Sequence, residues 1–462
     1  MPNPPMKPEP QLVGARKGEL WLSVFAGLFG ALLGLCLLKF GNPPIMEKYV
    51  TAPEGVWEFL LGYPWPMDWA YGMLLVVALA GLAVARWKLT APRWLLALPL
   101  LWLVWEFIAG AHSVSPELTQ AVLKHFAASV VCFYLGYFSL SRVARHWPFW
   151  LGLFGGLLLV LAFGWEQHFG GLEESRRYFY LYEYPHLKDL PPEYLKRITS
   201  NRIFATLLYP NALAGVLLLL LPPALAALWQ LRRLLTPAAR CFLIVSVGAI
   251  GLANLYWSGS KGGWLLMLVV GLVAVLRVPF SRRLKVSLVT GVLLIGLAGF
   301  FWKYAGFFQK GATSVSARFD YWRAALQTAK ERPVFGTGPG TFALAYEKIK
   351  RPESEMARLA HNDYLEQASD SGVAGLLIYL VFIVGALVWG FPKAGRAPPR
   401  ESDDWLVFSI WLGLLGWSLQ SLFEFGLYIP AIAWPAFTFL GWLVGRNRLT
   451  IAQQPRQGAA NP

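Results

Sequence analysis

Four side chains stand out by type and setting: Arg202, Lys261, Arg318 and His361. Arg202 lies in SNRIFATLLYPNALAG, at the head of a long apolar run, and Lys261 in the tight sequence SGSKGGW. Arg318 belongs to SARFDYWRAALQTAKER and His361 to AHNDYLE. Ionisable residues at membrane depth are costly, which makes them candidates for function. Arginine offers a planar fork that can hold a phosphate through two hydrogen bonds. Histidine supplies a neutral imidazole near pH 7 that can take a proton, or a cation that can hold an anion. Plainer readings exist for each. Arg202 could snorkel to the interface, Lys261 could be an ordinary turn residue, and Arg318 could pair with Asp320 or Glu366. A lone histidine could be a satisfied structural residue. Asn362, Asp363 and Glu366 either support His361 or are solvated helix residues.

The elements that must position these groups are membrane spans. The chain has 462 residues, 56% hydrophobic and 15% charged, where soluble proteins carry roughly 25% charged residues. Its 22 Trp and 18 Tyr suit the bilayer interface. The net charge of +15 would suggest nucleic acid in a soluble protein; in a membrane protein it raises the question of sidedness. Taking about 20 apolar residues per crossing, spans are expected near 20–40, 69–87, 94–110, 118–140, 147–165, 207–231, 239–257, 262–278, 284–301, 373–389, 405–423 and 429–444. The fold class is therefore all-α and polytopic, with about twelve transmembrane helices. The stretch 20–40 lacks a following A-x-A site, and its length suits an uncleaved first span. The basic loops at 86–93, 142–145, 232–240, 277–285 and 393–400, with both tails, gather on one side when the N-terminus is inside. The expected organisation is a cytoplasmic tail 1–19, spans over 20–301 with an outer loop at 166–200, a large outer loop 302–372, spans over 373–444, and a cytoplasmic tail 445–462.

The large loop reads as helical. SARFDYWRAALQTAKER has helical spacing and stops before Pro333, GTGPG is a turn, and ESEMARLAHNDYLEQASD is expected as a second helix running into the next span. The Gly-x-Gly-x-Gly run is no nucleotide loop, because it follows no strand and lacks a Lys-Ser/Thr. Glycine at positive φ would instead fold the two helices together. Tyr178, Phe179, Tyr180, Tyr182 and Tyr184 in the other outer loop either stack on sugars or rest at the interface. Cys36, Cys132 and Cys241 all lie in apolar runs and read as small core residues; they show no metal-ligand spacing.

RFDYWRAALQTAKERPVFGTGPGTF followed by AHNDYLEQASDSGVAGLLIYL resembles the signature of the O-antigen ligase and polymerase superfamily. The resemblance rests on Arg318, Tyr321, Trp322, Pro333, Gly336, Gly338, Gly340, Phe342, His361, Asn362, Tyr364, Leu365, Gly372 and Gly375. NRIFATLLYPNALAG is similar to the family's Arg-Pro-Asn-x-x-Ala segment. SGSKGGW is similar to its Ser-Arg-Gly-Gly turn, with Lys261 where arginine is usual, which keeps the charge and loses the fork. The resemblance implies a GT-C-like, multi-pass enzyme of the bacterial inner membrane, both termini cytoplasmic, acting on the periplasmic face. It implies a glycan donor on a polyisoprenyl diphosphate, and no cofactor, metal or nucleic acid. The acceptor would be lipid A–core in a ligase, another lipid-linked glycan in a polymerase, or a Ser or Thr in a protein-glycosylating member. His361, Arg318 and Arg202 would be catalytic, with Lys261, Asn362, Tyr321, Trp322 and Tyr364 contacting substrate. The arginines would stabilise the leaving diphosphate. His361 would be either the general base or a phosphate contact. A lipid-glycan transporter is the competing class, but the matched, broken repeats common in transporters are not visible in the sequence. An inactive assembly factor is a third class, against which the retained cations argue.

Overall fold

A computed structural model describes residues 10–183, 199–278, 280–309, 313–352, 354–392 and 403–446. Every regular element among them is helical. In chain order the first helices are α1 (Pro10–Lys39), α2 (Val56–Leu61), α3 (Met67–Val84), α4 (Arg93–Gly110), α5 (Pro116–Tyr134), α6 (Trp147–Glu166) and α7 (Leu172–Tyr178). There follow α8 (Pro210–Gln230), α9 (Pro237–Ser258), α10 (Lys261–Arg277) and α11 (Arg282–Gln309). The last are α12 (Thr313–Glu331), α13 (Phe342–Ile349), α14 (Asp363–Gly390), α15 (Asp403–Gln420) and α16 (Pro430–Arg446). Nine helices among the described residues are long and apolar enough to cross a membrane. The expected spans at 262–278, 405–423 and 429–444 fall on the shorter α10, α15 and α16. The tails at 1–9 and 447–462, Tyr184 and the basic stretch 393–400 lie outside the described residues, as do the side chains of Tyr178 and Tyr182.

The last helix is the centre of the molecule. Residues 430–445 of α16 are buried without a break, the mark of a helix that is apolar on every side and enclosed by others. It packs against α1, α5, α8, α14 and α15. The span of α8 is 67% buried whereas that of α11 is 11% buried, so α11 stands at the periphery with an apolar face suited to lipid. Cys36 and Cys132 are core residues, whereas Cys241 on α9 is exposed.

The tightest helix pair uses small residues. Gly30 and Gly34 on α1 face Gly152 and Gly156 on α6. A Cβ at Gly34 would lie 2.3 Å from the Gly152 carbonyl oxygen, and one at Gly152 would lie 2.3 Å from the Ala31 nitrogen. Two small-xxx-small stripes thus let the backbones touch. Gly152→Leu is expected to cost about 3 kcal/mol or more, the upper end of the overpacking range. The check is the melting temperature in detergent; an unchanged value would refute this packing account.

Three local expectations need correction. The chain does not turn into a loop after α6 at Glu166: helical structure continues through wide π-type turns into α7 and on to Glu183, because no proline intervenes and Gly170, at φ 146°, absorbs the distortion. The segment around His361 is not helical either. The chain forms the short helix α13, which was not anticipated, and the described residues between it and α14, which Asn362 caps, are irregular. The Asn362 side chain accepts from the Leu365 N–H at 3.0 Å, which fixes the start there. α14 itself is broken at Gly372, with φ 72°.

The glycine turn is where the large loop meets the bundle. Gly336, Gly338 and Gly340 all have positive φ. Thr337 N–H donates to Ser369 O and Gly338 N–H to Asp370 O, while Gly340 N–H donates to the Asp370 carboxylate at 2.6 Å. From the other side, Val114 N–H reaches Thr337 O at 2.9 Å and the Thr119 hydroxyl donates to Pro339 O at 2.9 Å. The turn is held between α14 and the α4–α5 connection.

Candidate active site

α12 ends at Glu331, ahead of Pro333, and packs along α14. This delivers Arg318, on its second turn, toward the start of α14. His361 sits two residues before that helix with φ 51°, a left-handed conformation uncommon for a side-chain-bearing residue and costly unless its surroundings impose it. The surroundings do impose it. Trp322 Nε1–H donates to His361 O at 3.3 Å, Ala360 N–H is held by the Glu366 carboxylate at 2.9 Å, and Asn362 caps α14. The His361 ring stacks on Tyr321 at 5.8 Å and meets the Phe425 ring edge-on at 4.8 Å.

The group that joins the site was not anticipated. Glu424, in the connection between α15 and α16, is buried. Its Oε1 accepts from Arg318 Nη2 and from Asn211 Nδ2, the latter at 2.6 Å. Its Oε2 faces His361 Nδ1 at 3.2 Å. Asn211 in turn takes Arg202 Nη2 at 2.8 Å on its Oδ1. Arg202 and Arg318 are further fixed by carbonyls: Arg202 Nε donates to Ser258 O at 2.7 Å, and Arg318 Nε to Phe423 O at 3.0 Å. One carboxylate therefore links three segments far apart in the chain. Burial alone would raise its pKa, but the Arg318 guanidinium and the hydrogen bond with His361 outweigh burial and hold it below the usual carboxylate value. Burial lowers the Arg202 guanidinium from its ordinary 12.5, against the opposing pull of Glu424.

The arrangement assigns the histidine tautomer. An anionic Glu424 opposite Nδ1 requires a proton on Nδ1, which leaves Nε2 as the acceptor. The carboxylate then orients the ring and stabilises it once charged, as in other acid–histidine pairs.

Lys261 opens α10, its ammonium 5.2 Å from the Tyr304 ring centre, and lies in electrostatic reach of Arg202 and Arg318. The Tyr364 hydroxyl bonds Ser418 at 3.1 Å, and Asn362 uses its side-chain carbonyl as the helix cap. Arg318 pairs neither with Asp320 nor with Glu366. Asp320 is met by Arg323 at 3.4 Å, and Glu366 turns back to Ala360. Asn211 stands in the PNALAG string already singled out, but its relay to Glu424 has no signal in that string. Phe179 is buried and Tyr180 exposed.

Residues 245–380 match the family model described as O-antigen ligase. That match covers less than a third of the chain, and over it the chain is similar to the O-antigen ligase and polymerase superfamily. The matched stretch holds Lys261, Arg318 and His361; Arg202, Asn211 and Glu424 lie outside it. Members of this superfamily are glycosyltransferase-like membrane enzymes, and their substrates are lipid-linked glycans. Over 150 residues the chain is 29% identical to an uncharacterized protein of Haemophilus influenzae, in a match covering 28% of this chain and 38% of that protein. The chain thus spans well under two thirds of the length of that relative.

Proposed function

We propose that this protein transfers a glycan from a polyisoprenyl diphosphate to an acceptor hydroxyl on lipid A–core, at the periplasmic face of the inner membrane. The observation that carries the reading is Glu424 joined to Arg318 and His361 directly and to Arg202 through Asn211. His361 Nε2 takes the proton of the acceptor hydroxyl as its oxygen forms the new bond to the sugar C1. The C1–O bond to the diphosphate breaks, and its electron pair stays on the diphosphate. Arg202 and Arg318 stabilise that growing charge. Arginine cations preorganised where charge develops are the effect best suited to such a step.

Two experiments test this. In a purified transfer assay with a lipid-diphosphate glycan, Arg318→Lys is expected to retain insertion and lose about 30-fold in rate, since an ammonium keeps the charge but not the two-point contact. Undiminished transfer would sink the role of the guanidinium. In a deletion strain, gels of surface glycans should lose every long chain from the lipid core. Single-repeat chains still attached to the core would identify a polymerase, which uses the same donor. Attachment of glycan to Ser or Thr of proteins would identify the protein-glycosylating reading. Uptake of labelled lipid-glycan by vesicles without any transfer product would favour a transporter.

A further inference from the structure

The outer ends of α10 and α11 carry two lysines, and the chemistry above employs neither. Lys261 begins α10 and Lys303 lies near the end of α11. Their ammonium groups flank one buried ring: Lys261 Nζ is 5.2 Å and Lys303 Nζ 5.7 Å from the Tyr304 centre. Lys303 also lies over Tyr256, 3.0 Å from its ring centre, and donates to the Tyr256 carbonyl. Both lysines are half-buried.

This pair is continuous with the arginine site. The turn that delivers Lys261 wraps Arg202: Ser258 O accepts from its guanidinium, and a Cβ at Gly259 would lie 3.2 Å from its side chain. Arg202, Lys261 and Lys303 lie in electrostatic reach of one another and Arg318 in reach of Arg202 and Lys261, while Glu424 is committed to Arg318, Asn211 and His361. Like charges held together in a partly buried place repel strongly, and such an arrangement is stabilised by an anion that spans it.

We propose that Lys303 is a donor-binding residue: with Lys261 it forms a second arm that takes the lipid-proximal phosphate, while Arg202 and Arg318 take the sugar-proximal one. This rests on the donor named above. The tyrosine faces give each ammonium an aromatic contact, and the diphosphate replaces part of it.

The test is binding of farnesyl diphosphate, farnesyl monophosphate and farnesol to the full chain in detergent. Lys303→Met is expected to weaken the diphosphate and the monophosphate alike, each about tenfold or about 1.4 kcal/mol, because both carry the lipid-proximal phosphate. Lys303→Arg should restore the diphosphate to near wild type. Lys303→Gln is run in parallel and carries the test if the Met variant is not monodisperse. Weakening of the diphosphate with the monophosphate unchanged, or no weakening of either, overturns the second arm while leaving the donor class standing. A wild-type chain that binds the diphosphate no better than farnesol overturns the donor class, and this proposal with it.

Discussion

Replacing Glu424 by alanine is expected to lower the transfer rate by at least about 10³-fold, the range associated with losing a positioned proton acceptor together with charge stabilisation. One substitution removes the group that orients His361, the partner of Arg318, and the acceptor that holds Asn211 against Arg202. It also leaves buried cations uncompensated, for which about 3–5 kcal/mol of destabilisation is typical. Glu424→Gln separates the two effects. The amide keeps one acceptor and the packing, so folding should survive, yet it no longer fixes the Nδ1 proton or balances two guanidinium groups. The expected result is a well-folded protein with a rate close to that of the alanine variant. A glutamine variant with full activity would refute the charge role. The same carboxylate sets an acid limit. Its folded pKa lies below the ordinary 4.5, so its contribution to stability is complete above that value and fades as pH falls through the folded value. Wild-type melting temperature should drop in that acid range, and the Gln variant should lack that part of the drop.

The second large effect is expected at Gly336. Its φ is +64°, and a Cβ there would lie 2.4 Å from the Asp370 carbonyl carbon and 2.4 Å from the Ser369 oxygen. Both obstacles are backbone of α14 and cannot swing away. Gly336→Ala combines left-handed strain with that overlap and should cost about 4 kcal/mol or more, a value reserved for a few mechanisms of which this is one. Gly271 on α10 is the control, because a Cβ there meets nothing within 4 Å. Gly271→Ala should be neutral or slightly stabilising, by up to about 1 kcal/mol. Thermal melts of the two variants in detergent decide the matter; equal melting temperatures would contradict the account.

Much of this site was legible in the sequence, because Arg202, Arg318 and His361 are expensive residue types in apolar or tightly patterned surroundings. The positions of the helices were legible too, since apolar runs of crossing length leave few alternatives. Glu424 was not. It sits in FEFGLY between two apolar helices, at the edge of an expected span, and no spacing relates it to His361, 63 residues earlier. The helix expected through His361 failed for a readable reason. Asn362 followed by Asp363 is a helix start, and that signal was outweighed by the helical pattern of the flanking residues. Lys303 was hidden in another way: its meaning depends on Tyr304 and Tyr256, which only the packing of α11 against the bundle supplies.

The glycine turn has one more consequence. A cap that swings open needs a free middle and hinges at its roots. Here the middle of the large loop is bonded on one side to Ser369 and Asp370 and on the other to Val114 and Thr119. The loop that carries Arg318 and His361 is therefore anchored at its middle, and lifting it whole would break all of those bonds together. If the proposed function holds, a long-tailed donor reaching Arg202 and Arg318 with that turn in place would come sideways out of the bilayer. The gate to examine is then the gap between peripheral helices such as α11 and the bundle.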